Sequence, residues 1–173
     1  MGKLTGCAAA EYIKGREFQQ AEKRPVVQER AEHYTKILSN PVDDSSPTWY
    51  EANVMIQQVM LSYCGTGVVS EELYEVGLQH LRRMVSKFDQ LQAGTAHEFL
   101  RVMEVESLAT CAELGMLECR SRKETRGSTL YANYPEKDPE WDGKRPSIRL
   151  VDGKPVFGRR GKRGVNEPYP EEM

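Results

Sequence analysis

The chain has 173 residues, a length that suits one domain or one domain with an arm. Its 24 Lys and Arg stand against 26 Asp and Glu, a near-neutral balance that argues against a nucleic-acid-binding domain, which is usually basic. No stretch approaches the roughly 18 consecutive apolar residues of a membrane span, and no secretory leader pattern opens the chain.

The four cysteines, Cys7, Cys64, Cys111 and Cys119, form no CxxC pair and no short disulfide spacing. They are expected to be buried free thiols in a reducing compartment, which makes the cytoplasm the expected location.

A first helix is expected over Lys3–Lys14, in the run GKLTGCAAAEYIKG. Three alanines favour it, and Gly15 suits the residue just past its end. Its small-residue face reads as a surface packed against something in a longer chain. A second helix is expected from Pro25 to Leu38, with Pro25 in the first turn and only sparse apolar positions. The loop SNPVDDSSPT is rich in turn formers. A third helix follows to about Tyr63, with Ser46 as cap and Pro47 at its first position. Val54, Met55, Val59, Met60 and Tyr63 recur at helical spacing, and Gly65 and Gly67 break the pattern.

Ser70 is expected to cap a fourth helix, with Glu71 and Glu72 favourable at its start. Leu73, Gly77, Leu81, Met84, Phe88 and Leu91 form one apolar stripe, ended by Gly94. A fifth and longest helix runs from a Thr95 cap to about Arg122, with Leu100, Met103, Leu108, Ala112, Gly115 and Cys119 as its inward stripe. Past Gly127 the pattern changes. SIRLVDGKPVF is two short extended runs about Asp152-Gly153, a hairpin signal, and Pro155 restricts the second run to an edge. Nine cations lie between Lys137 and Arg163, and the tail from Glu167 is acidic.

The fold class is therefore mainly α. An antiparallel three-helix bundle is preceded by one or two additional helices and followed by an arm containing a short β-hairpin. The divisions are residues 1–46 for the leading helices, 47–127 for the bundle and 128–173 for the arm. The hairpin is expected near 148–157, with a disordered acidic tail.

The densest polar cluster is CRSRKETRG at the end of the fifth helix, where Arg120, Arg122, Lys123 and Arg126 surround Glu124. Cations at a helix C-terminus are stabilised by the dipole, by about 0.3–1 kcal/mol each. A solvated helix end would account for the cluster, and so would an anchor for carboxylates or phosphates. His33, His80 and His97 fall on different elements, and no ligand spacing points to a metal. The seven methionines fit the helical stripes and read as core filling. GTG at Gly65–Gly67 is a turn between helices and not a phosphate loop. No nucleophile–base arrangement is readable, so no catalytic residue is assigned.

The run RKETRGSTLYANYPEKDPEW, Arg122 to Trp141, resembles a signature of the succinate dehydrogenase/fumarate reductase flavoproteins, and the adenylylsulfate reductase alpha subunits are similar there. In that family a long helix ends in Arg-Lys-Glu-Ser/Thr-Arg, followed by Asp/Asn-Tyr-Pro and an acidic segment with Trp. VMIQQVMLSYCGTGVVSEELYEVGLQHLRRM looks like the first two bundle helices of the family, and GKLTGCAAAEYIKG is similar to the helix that closes its FAD domain. The resemblance spans about residues 3 to 158. It implies the C-terminal helical domain of an FAD-dependent oxidoreductase, with residues 1–46 as the end of the FAD domain plus a connector.

The family's dinucleotide fold, flavin-linking histidine and substrate arginines lie upstream of the region seen here. The resemblance thus implies no cofactor site in this chain, no activity alone, and FAD on an FAD-binding domain or subunit as partner. An iron–sulfur subunit is a second implied partner. By position Arg120, Arg122, Lys123, Glu124 and Arg126 would stand at the domain junction, so Arg126→Ala should leave the bundle folded and weaken docking. Gly127-Ser128-Thr129 departs from the usual Gly-Ala-His, which leaves the substrate class open. A stand-alone helical interaction module without redox activity is the alternative reading.

Overall fold

The computed structural model describes residues 2–17, 20–65, 67–152 and 154–161. The chain divides into two compact units, residues 1–36 and 37–173. The first unit holds α1, Gly2–Ile13, and most of α2, Pro25–Leu38. Gly15 closes α1 with φ +76°, the left-handed conformation expected of a glycine past a helix end. No residue of α1 is buried.

The second unit is built on α3 (Trp49–Met60), α4 (Glu71–Val85) and α5 (Ala96–Arg122), packed pairwise against one another. This is the expected three-helix bundle, with two helices ahead of it and a hairpin behind. Thr48, not Ser46, caps α3. Its hydroxyl accepts from the Glu51 amide at 3.2 Å, while the Glu51 carboxylate accepts from the Thr48 amide at 2.8 Å. Such a reciprocal box satisfies two orphan donors, which Ser46 with Pro47 behind it cannot do. Pro47 lies outside the helix, where its carbonyl accepts from the Gln92 amide. The Asn40 side chain bonds back to the carbonyls of Asp89 and Leu91, so the loop before α3 is tied to the turn before α5. Ser70 and Thr95 cap α4 and α5 as expected, Thr95 with its own box to Glu98.

After Met60 the third helix widens into one π turn, Leu61–Gly65. The fourth is shorter than its stripe: it stops at Val85, and Phe88–Gln90 forms a separate 3-10 turn that still buries Phe88. The core gathers Ala52 and Ile56 from α3, Tyr74, Leu78, Leu81 and Met84 from α4, and Val102, Val105, Ala109, Ala112 and Met116 from α5.

The inward face of α5 therefore differs from the expected one. Leu100 is 57 % and Leu108 42 % exposed, and of the expected stripe only Ala112 is buried. The helix carries two apolar faces, and the narrower Val/Ala face lets α3 and α4 approach. Close approach falls at Gly77 of α4, not at Gly115 of α5. A Cβ on Gly77 would lie 2.3 Å from Met116 Cε, whereas one on Gly115 meets nothing within 4 Å. Gly115→Ala is accordingly expected to stabilise the chain, by up to about 1 kcal/mol, through helix propensity alone. Urea unfolding checks this, and a lower midpoint would show a neighbour in that space.

Two small sheets follow α5. β1 (Val68–Val69) pairs in parallel with β2 (Leu130–Tyr131), a contact that no local pattern announces. β3 (Lys144–Val151) and β4 (Lys154–Gly161) form the antiparallel hairpin, which begins earlier and ends later than 148–157. Asp152 takes φ +51°, as its turn requires, and Gly153 lies outside the described residues. The acidic tail also lies outside them. Among the described residues no helix is long and apolar enough to cross a membrane.

Candidate functional site

The basic end of α5 is bound up with carboxylates of the chain itself. Lys123 terminates the helix in the left-handed conformation, φ 50°. That turn sends Glu124 back under the helix end, where it is 1 % exposed. Both Glu124 oxygens accept from Arg126 Nε at 2.9 Å, and Oε2 also accepts from the Asp138 amide at 3.1 Å. Arg126 reaches further, to Asp142 at 2.8 Å and to the Asp138 carbonyl at 3.0 Å. Its pKa is raised above the usual guanidinium value by the hydrogen bonds to Glu124 and then Asp142. Glu124 and Arg126 thus clasp the chain as it leaves α5 onto the segment around Asp138–Asp142.

The other cations pair outward from this clasp. Arg122 stands 3.6 Å from Glu124 and 3.7 Å from Glu118. Arg120 bonds Glu75 of α4 at 2.6 Å. Lys123 lies 3.6 Å from Glu71 and beside Tyr134, and the phenol first, then the carboxylate, raises its pKa. Tyr134 donates to Glu71 at 2.8 Å, and the Asn133 side chain accepts from the Glu71 amide at 3.0 Å. Thr125 Oγ1 accepts from the Tyr131 amide and donates to the Tyr134 carbonyl. Every member of the sequence cluster is in this network, and the cluster presents pairs of charges, not a row of free cations. Exposed pairs of this kind contribute little each; the buried Glu124 is the member whose removal matters.

Beneath the network lie Tyr131 and Trp141, both buried. Burial pushes the Tyr131 phenol up to about 12. Arg159 of β4 stacks on the Trp141 ring at 4.7 Å and pairs with Asp138 and Glu140, which holds the hairpin to the segment. Sequence reasoning named Glu124 and its cations but not their partners Glu71, Glu75, Asp138 and Asp142. Those acids lie on other elements, and spacing along the chain carries no signal of them.

Among the described residues no group of three or more His, Cys, Asp or Glu converges as a metal site. Their sheets are each two-stranded, and none leads through a glycine-rich turn into a helix. These residues do not build a dinucleotide cradle, and no step of flavin chemistry is assigned to them. The thiols differ from expectation: Cys7 and Cys111 are exposed, and Cys64 and Cys119 are half-buried. Of the methionines, Met84 and Met116 fill the core, while Met55 is 49 % exposed.

The class of domain is a mainly helical bundle, here with the buried Glu124 clasped by a partly exposed Arg126 just past its last helix. The family described as the fumarate reductase flavoprotein C-terminal domain matches residues 54–148, more than half of the chain, and the chain belongs to that family. Family members are FAD flavoproteins.

Among solved structures the chain resembles adenylylsulfate reductase from the hyperthermophilic Archaeoglobus fulgidus, with 22 % identity and a TM-score of 0.74. It also resembles Escherichia coli quinol fumarate reductase, with 18 % identity and a TM-score of 0.67. The Mycobacterium smegmatis Sdh1 complex in the apo form is similar at 15 % identity and a TM-score of 0.64. The matches cover 96 %, 96 % and 94 % of this chain but only 29 %, 29 % and 28 % of those chains. At such identity they establish the fold. No curated protein sequence matches the chain.

Proposed function

We propose that the chain serves as the C-terminal domain, or a split subunit, of an FAD-dependent oxidoreductase of the fumarate reductase/succinate dehydrogenase or adenylylsulfate reductase type. Its part is domain packing and partner contact, and the redox centre stands on an FAD-binding domain or subunit. α1 carries the reading. It is a 12-residue helix without one buried residue, and Leu4, Tyr12 and Ile13 are 78 %, 66 % and 63 % exposed. An isolated helix of that length is marginal in water, so a covering surface would account for it. The outer apolar face of α5, around Leu100 and Leu108, offers a second such surface. The Arg120–Arg126 network then stiffens the junction, and Arg126 acts through Glu124 before it acts on any partner. An iron–sulfur subunit fits the same assembly as a further neighbour.

Affinity purification of the chain from its own host is expected to bring down a protein with a bound-flavin absorbance spectrum. Leu4→Glu with Ile13→Glu should abolish that flavin signal and leave the unfolding of the bundle unchanged. Capture without flavin, or flavin capture indifferent to the α1 charges, would favour the stand-alone interaction module.

A further inference from the structure

A cleft of about 190 Å³ lies between the start of α3 and the end of α4. Its floor is apolar, since Ala52, Met84, Phe88 and Leu91 all line it and all are buried. Met55, 49 % exposed, lines it from α3 as an adaptable lip. From the α4 side come His80, Arg83 and Lys87. Their spacing of three and four residues sets them on one side of the helix and the turn that ends it.

The walls are held by bonds made elsewhere. The Thr48–Glu51 box fixes the first turn of α3. The Gln92 amide donates to the Pro47 carbonyl at 3.0 Å and its side chain to the Ser46 carbonyl at 2.6 Å, which ties the entry of α3 to the chain just past Leu91. On α4 the His80 ring stacks on Tyr63 at 5.6 Å. A site with walls already set loses little to ordering when a ligand enters.

The charge on this cleft is positive and uncommitted. Glu51 is the one acid that lines it, and its Oε2 already accepts from the Thr48 amide and hydroxyl at 2.8 Å each. Arg83 and Lys87 make no ion pair among the described residues. The helix dipole accounts for cations at the end of α4, but not for their sharing a wall with a buried apolar floor. A guanidinium and an ammonium side by side suit a carboxylate. The cleft is smaller than the roughly 300–1,000 Å³ of sites for drug-sized ligands, so its ligand is small. A dicarboxylate such as fumarate would press a second charge onto Met84 and Phe88 without a partner, which is costly.

We propose that this cleft binds a small monocarboxylate with a short apolar or aromatic body. Arg83 and Lys87 hold the carboxylate, and the body lies on Met84, Phe88 and Met55. Bound there, the ligand bridges α3 and α4 at a site that shares no residue with the Glu124–Arg126 clasp.

Hydrocinnamate is the probe, titrated into the full chain with isotope-labelled methionine methyls and followed by nuclear magnetic resonance. The Met55 and Met84 methyl signals should move together along one saturating curve. Met103, which lines a separate apolar groove on α5, should stay still. Acetate lacks the body and hydrocinnamyl alcohol lacks the charge, and each should bind about tenfold or more weakly. Arg83→Gln with Lys87→Gln, both at exposed positions, should weaken hydrocinnamate about tenfold and leave the alcohol as it was. The proposal is overturned if the Met55 and Met84 methyls ignore millimolar hydrocinnamate, or if the alcohol binds as tightly as the acid. Movement of Met103 with the same midpoint, or unchanged binding of the acid to the double variant, would overturn it as well.

Discussion

Glu124→Ala is expected to cost about 3 kcal/mol, the low end for breaking a buried, hydrogen-bonded ion pair, since Glu124 is buried but the Arg126 side chain is 29 % exposed. Glu124 is the buried hub of the segment, accepting from Arg126 through both oxygens and from the Asp138 amide. Without it the Asp138 amide loses its partner, and Arg126 retains only Asp142 and one carbonyl. Glu124→Gln is a finer probe and should cost about 2 kcal/mol. Its amide must point NH2 at a donor, because Oε2 now receives from both Arg126 Nε and the Asp138 amide. Urea unfolding by circular dichroism gives the global loss. Trp141 emission, read below the main transition, should report early release of the segment. An unchanged midpoint with unchanged Trp141 emission would mean that the clasp holds nothing. Arg126→Ala combined with Glu124→Ala should cost less than the two singly, since the pair is shared.

Gly77→Val is expected to destabilise the bundle by about 3 kcal/mol. A Cβ there would stand 2.3 Å from Met116 Cε and 2.6 Å from Tyr63 Cβ. The methionine tip can swing away, but Tyr63 Cβ is fixed to the backbone of the π turn and its ring stacks on His80. Gly77→Ala regains about 1 kcal/mol of helix propensity and so should lose less. Valine adds two methyls to a filled contact and gives back part of that gain. A domain of this size should melt about 6–12 °C lower. A melting temperature at or above that of the parent chain would show that α4 can move away from Tyr63.

What was legible in the sequence was local. Gly15, Ser70, Thr95 and Asp152 each act within a few residues of chain, through a backbone conformation or a cap bond that side-chain chemistry decides by itself. The ends of α2 and α5, the bundle class and the hairpin turn followed from such signals. The cap of α3 was missed by two residues because two competing local signals, Ser46-Pro47 and Thr48-x-x-Glu51, overlap there, and only the second can close a reciprocal box. The signature from Arg122 to Trp141 was readable because it too is contiguous.

Tertiary structure decided the rest. α5 has two apolar faces of similar character, and periodicity cannot say which one α3 and α4 will cover; the smaller Val/Ala face won because helices pack where backbones can approach. The same cause sets the close contact at Gly77 and leaves open space at Gly115. The parallel pairing of Val68–Val69 with Leu130–Tyr131 and the ion pair of Arg120 with Glu75 join distant segments that share no spacing rule. Residue types and order thus determined that the fifth helix ends in Arg122-Lys123-Glu124. Only the folded chain determined that Glu124 turns inward and becomes the buried charge around which that end is built.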